Sequence, residues 1–115
     1  MRSLMVFVHL LIVFSCTKDK VTVVPNTTAE DTVTYSMYIL PIFNNKCNGC
    51  HAYPGTGGIS LDNYQMAHDL AMSGYIIGCI DGLPGYLPMP PAGFPSLTPT
   101  EKLLIHTWVD QGARE

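Results

Sequence analysis

Residues 44–58 read NNKCNGCHAYPGTGG. Cys47 and Cys50 stand three positions apart, His51 follows the second directly, and a Pro/Gly turn closes the stretch. Three chemistries use this spacing: a zinc site, a redox-active dithiol and a covalently held haem. The segments on either side decide between them.

A thioredoxin-like dithiol follows a strand, opens a helix and sits in a βαβ pattern. Here the preceding residues repeat at helical spacing. Tyr35, Ile39, Ile42 and Phe43 share one side with Tyr38, and this predicts an amphipathic first helix running toward Cys47. Pro41 falls inside it, so the helix kinks there or restarts with Pro41 in its first turn. A zinc site needs four ligands, normally from two knuckles. Cys47 and Cys50 form one knuckle. The remaining ligands would come from Cys79, His68 or His106, which are scattered and form no second knuckle.

The sequence C-x-x-C-H also marks c-type haem attachment. Two thiols on one helical turn can each add to a vinyl group on one porphyrin edge. His51 then lies under the ring and offers a nitrogen to iron, while its other nitrogen donates to a backbone carbonyl, for which the loop Tyr53–Gly58 is the expected source. A sixth ligand is expected from Met89 in YLPMPPAG (residues 86–93), where Pro88 and Pro90 leave the loop few conformations to lose. Met37, Met66 and Met72 lie in predicted helices, where flexible methionine fills gaps. His68 and His106, the competing ligands, sit among polar neighbours and read as surface histidines.

Downstream, residues 60–74 predict a second helix with Tyr64, Ala67, Leu70 and Ala71 on its apolar side and Gly74 closing it. YIIGCI (75–80) is a short apolar piece, helical turn or strand. Residues 81–96 hold five prolines and cannot be regular. The last helix carries its own start signal: Thr98 as N-cap, Pro99 in the first turn and Glu101 completing a capping box. Leu104, Ile105, Trp108 and Val109 form its apolar face, and Gly112 ends it.

The chain opens with Arg2 and an apolar run, Leu4–Phe14, broken by His9. A bilayer span needs about 20 residues; this run has the length of a signal-peptide core. Val13-Phe14-Ser15-Cys16 resembles a bacterial lipobox, which implies lipidation at Cys16. The expected organisation is therefore a leader at 1–15, a tether at 16–33 and a haem domain at 34–115. Removing residues 1–15, whose one formal charge is Arg2, takes the net charge from −3 to −4. No basic stripe is present, so a nucleic-acid partner is not expected. A folded unit this small gains little from a side-chain core alone, and a large apolar group bonded to the chain would act as a staple.

CxxCH after an amphipathic helix, a Pro-flanked methionine and a tryptophan-bearing last helix together resemble the small monohaem class I cytochromes c. The segments LPIFNNKCNGCH, GGISLDNY, LPMPPAG and LTPTEKLLIHTWVDQGA resemble the cytochrome c-like domains of exported bacterial proteins. The resemblance covers residues 34–115. It implies an all-α fold of three to four helices around one covalent haem c, with a long Pro-rich loop bearing the methionine and with the first and last helices crossing beside the haem. It further implies thioether bonds from Cys47 and Cys50 and axial ligation by His51 and Met89. Cys79 has no part in that pattern and is expected to be a small buried residue beside the haem. Ile59, Leu61, Tyr64, Leu87 and Trp108 are the apolar residues expected around the porphyrin.

With both axial positions filled, such a centre has no place for a small-molecule substrate. The expectation is an electron carrier rather than an enzyme, exported to the periplasm or an outer membrane, held there by lipid, with redox proteins as donor and acceptor. Two other readings stay open: a gas- or peroxide-binding domain with an open sixth position, and a structural zinc module.

Overall fold

The structure, a computed structural model, describes residues 32–115. The expected leader, Cys16 and the tether up to residue 31 lie outside the described residues. Among the described residues every regular element is helical: a π-helical segment Tyr35–Ile39, then α1 (Leu40–Lys46), α2 (Asn48–His51), α3 (Tyr64–Met72), α4 (Tyr75–Asp81) and α5 (Pro99–Asp110). None of them is long and apolar enough to cross a membrane. The all-α expectation holds at this level.

Pro41 explains how the chain enters this array. It has no N–H to donate, and its ring crowds the carbonyl four residues back. The helix before it is widened, with the Leu40 N–H bonded to the Tyr35 carbonyl, and an α-helix restarts with Pro41 in its first turn. A second break falls at Cys47 (φ −126°, ψ −43°), which ends α1 and caps α2. The Asn48 side-chain amide donates to Asn44 Oδ1 at 2.7 Å and spans this junction.

α3 starts later than its apolar pattern suggested, because Asn63 supplies the cap and accepts from the Met66 N–H at 3.0 Å. The ambiguous piece YIIGCI is helical. Gly74 (φ 78°) and Gly82 (φ 63°) bound it in the left-handed region, where a side chain would be strained. α5 has the predicted capping box: the Glu101 N–H donates to Thr98 Oγ1 at 3.2 Å, and the Thr98 N–H donates to Glu101 Oε2 at 2.7 Å. Residues 83–98 hold no regular element.

The core joins the two ends of the described chain. Trp108 is fully buried and meets Phe43 edge-on, with ring centroids 6.3 Å apart and planes at 84°. Tyr35 packs between them, its ring centroid 6.0 Å from that of Trp108 and 6.4 Å from that of Phe43. The carbonyl of Arg114 accepts both the Tyr35 N–H and the Trp108 indole N–H at 2.8 Å. Val33, placed above at the end of the tether, is fully buried, and its N–H donates to Gln111 Oε1 at 2.8 Å. The first and last helical segments thus pack against each other, and Phe43 and Ile105 of this core also line the cleft described next.

Candidate functional site

Cys47 lies at the break between α1 and α2, and its carbonyl accepts from the N–H groups of Cys50 (3.1 Å) and His51 (2.9 Å). This tight turn brings the three residues to one end of a cleft. Two adjoining cavities, of about 230 and 160 Å³, share Cys47, His51, Gly57, Ile80, Met89 and Leu97 as walls. Cys50, exposed, edges the larger one together with Pro90 and Phe94. Phe43, Leu61, Ile76 and Ile105 form the floor of the smaller one. Met89, far from CxxCH in the chain, is therefore brought to the same cleft as His51.

The walls are almost wholly apolar, and the rim carries apolar side chains that remain exposed: Leu87 at 71 % and Phe94 at 59 %. The imidazole of His51, the thioether of Met89 and the three thiols of Cys47, Cys50 and Cys79 are the soft donor groups in these walls, beside the Lys46 ammonium and the Tyr75 hydroxyl. Burial, with Glu101 nearby, pushes the Cys47 thiol up to about 11, against a smaller opposing effect of Lys46. In this environment the Cys47 thiol gives up its proton less readily than an ordinary cysteine. Neither Cys47 nor Cys50 is in a disulfide, and among the described residues no strand precedes them as a thioredoxin-like site requires.

The environment of His51 departs from expectation. Its Nδ1 is buried and has no hydrogen-bond partner among the described residues. The loop expected to supply a carbonyl directs N–H groups toward this end of the helix instead: Gly55 donates to the Ala52 carbonyl and Gly57 to that of Cys50. The loop then meets the imidazole at Gly57, where a Cβ would overlap Nδ1 and Cε1. Only glycine lets the backbone pass so close to the ring.

Of the apolar residues expected around a porphyrin, Ile59, Leu61 and Leu87 line the cleft, whereas Tyr64 and Trp108 do not. Both pack against Tyr35 on the far side of the core. Cys79 is buried and lines the smaller cavity, and its carbonyl accepts the Met89 N–H at 2.9 Å. Burial pushes its thiol up, with a smaller opposing effect from a hydrogen bond to Tyr75. Spacing gave no sign of that anchoring role, since it resides in a backbone carbonyl.

His68 and His106 are elsewhere. His68 Nδ1 lies 3.0 Å from Asp69 Oδ1, and His106 Nε2 lies 3.1 Å from Asp81 Oδ2. No three histidine, cysteine or acidic side chains are grouped to hold a metal ion among the described residues, so the knuckle Cys47–Cys50 gains no further ligands of those types.

Comparison with protein-family models, curated proteins and solved structures returns no match for this chain.

Proposed function

We propose that this chain is a monohaem c-type cytochrome carrying single electrons between redox proteins outside the cytoplasm, held to a membrane through a lipid on Cys16. What carries the reading is that Cys47, His51 and Met89, singled out by motif and loop chemistry alone, all line one apolar cleft. The cleft, its exposed apolar rim and its imidazole–thioether pair fit a large, flat, apolar group containing a metal.

Haem c, when bound, supplies an iron that exchanges single electrons. In this reading Cys47 and Cys50 would hold the group through thioether bonds, and His51 and Met89 would supply a nitrogen and a sulfur ligand to its iron. The neutral thioether of Met89 favours the ferrous state and raises the potential. Phe43, Leu61, Ile76 and Ile105 exclude water from the floor of the cleft and act in the same direction. The described residues carry Lys46, Lys102 and Arg114 against six carboxylates. Two of those cations face carboxylates of the same chain, Lys46 at 3.9 Å from Glu101 and Lys102 at 3.8 Å from Asp81. An acidic surface of this kind suits a partner with a basic docking face.

The test is an absorption spectrum of the full chain, matured in a host with haem-attachment machinery, in both redox states. A Soret band with visible bands that sharpen on reduction is expected. A colourless protein would refute the proposal.

A further inference from the structure

Gly78 sits inside α4, with no positive φ that would call for glycine. At such a position glycine is a poor choice, destabilising a helix relative to alanine. Packing supplies the reason. A Cβ on Gly78 would stand 2.6 Å from each of Cγ, Cδ1 and Cε1 of Tyr86. The Tyr86 ring lies directly on the bare backbone of α4, and Tyr75 meets it edge-on at 5.8 Å. Real Cβ atoms do not approach that closely, and the contact involves the body of the ring rather than a flexible tip.

Tyr86 is three residues before Met89, and the loop between them is tied to the same turn of α4. The Leu83 N–H donates to the Gly78 carbonyl at 2.9 Å, the Tyr86 N–H to the Leu83 carbonyl at 3.1 Å, and the Met89 N–H to the Cys79 carbonyl at 2.9 Å. Residues 83–89 are thus fastened at both ends to Gly78 and Cys79, with the Tyr86 ring as the spacer that sets how closely the loop approaches the helix.

We propose that Gly78 and Tyr86 are positioning residues: the bare backbone at 78 seats the Tyr86 ring, and this seat fixes where Met89 stands in the cleft. The consequence for an iron ligand rests on the haem reading above, but the seat itself does not. A side chain at 78 lifts the ring, and with it the loop, away from α4. Met89 then moves relative to His51, with which it lines the cleft.

The experiment uses the full, matured chain labelled at methionine methyl groups. The variants are Gly78→Ala, Tyr86→Ala, the pair together, and Tyr86→Phe. Two readouts are taken: the Met89 methyl resonance, and the rate at which carbon monoxide binds the reduced protein. Gly78→Ala is expected to move the Met89 resonance and leave those of Met37, Met66 and Met72 in place. It is expected to speed carbon monoxide binding about tenfold or more, as overpacking of a close contact would. Both effects should vanish when Tyr86→Ala is already present, because the clash is then gone. Tyr86→Phe keeps the ring and should change neither readout. If Gly78→Ala does not fold, Tyr86→Ala alone must still move Met89 where Tyr86→Phe does not. An unmoved Met89 resonance, or an equal effect of Gly78→Ala with and without the ring, would overturn the seat. If the matured wild type carries no haem and Gly78→Ala still moves the Met89 resonance, the seat is supported and the haem reading overturned.

Discussion

The hydroxyl of Tyr35 donates a 2.7 Å hydrogen bond to the carbonyl of Leu61, joining the start of the first helix to the chain leaving the CxxCH loop. The N–H of Leu61 donates in turn to the carbonyl of His51 at 2.6 Å. A buried tyrosine therefore steadies the segment that holds His51. Tyr35→Phe removes the donor and strands the Leu61 carbonyl. The expected cost is about 1–2 kcal/mol in denaturant unfolding, with the α-helical spectrum retained.

The same tyrosine gives a pH prediction. Burial first, then the nearby Asp62 carboxylate, raise its pKa above the ordinary 10.0. The folded state thus keeps a proton that the unfolded state releases near pH 10. Stability contributed by this group is full below that value and declines as pH rises through the folded pKa. Unfolding curves measured from pH 8 upward should show a steeper alkaline loss for the wild type than for Tyr35→Phe. Parallel pH profiles would contradict the assignment.

Trp108 is the centre of the core, not a wall of the cleft. Trp108→Ala is expected to cost about 3–5 kcal/mol, enough to unfold a domain this small or bring it to the edge of unfolding. Thr98→Ala, which removes one arm of the capping box, is expected to cost about 1 kcal/mol. The two changes separate core from cap when their denaturation midpoints are compared.

Much of this was legible in the residues. α5 announced itself because its signals are local: Thr98, Pro99 and Glu101 satisfy the first N–H groups of the helix regardless of what it packs on. Cys47, His51 and Met89 stand out by residue type and spacing, and the fold brings all three to one cleft. The failures share a different cause. Periodicity says which face of a helix is buried but not against what, so Trp108 and Tyr64 were expected at the cleft and lie behind it. The piece around Cys79 had no period to read, and its left-handed Gly74 and Gly82 decided its limits. The anchoring carbonyl of Cys79 and the backbone approach at Gly57 depend on tertiary geometry that no local pattern encodes.

Met89→Ala tests the sixth position. The matured variant should keep its covalent pigment, bind carbon monoxide promptly when reduced, and show a lower potential, because the thioether favours the ferrous state. Wild-type protein that binds carbon monoxide as fast as the variant would place Met89 off the iron and favour the gas-binding reading.

Electron transfer to a partner with a basic docking face should slow as ionic strength rises, since screening shortens the reach of the acidic surface. A rate that does not change with salt would remove charge from the account of docking.

The most direct measurement is the intact mass of the full chain, produced with haem-attachment machinery and washed in acidified organic solvent. The account predicts that one haem stays on the polypeptide, and that Cys47→Ser and Cys50→Ser together abolish the added mass. A wild-type mass equal to the bare chain, with pigment in the solvent or none at all, would contradict it.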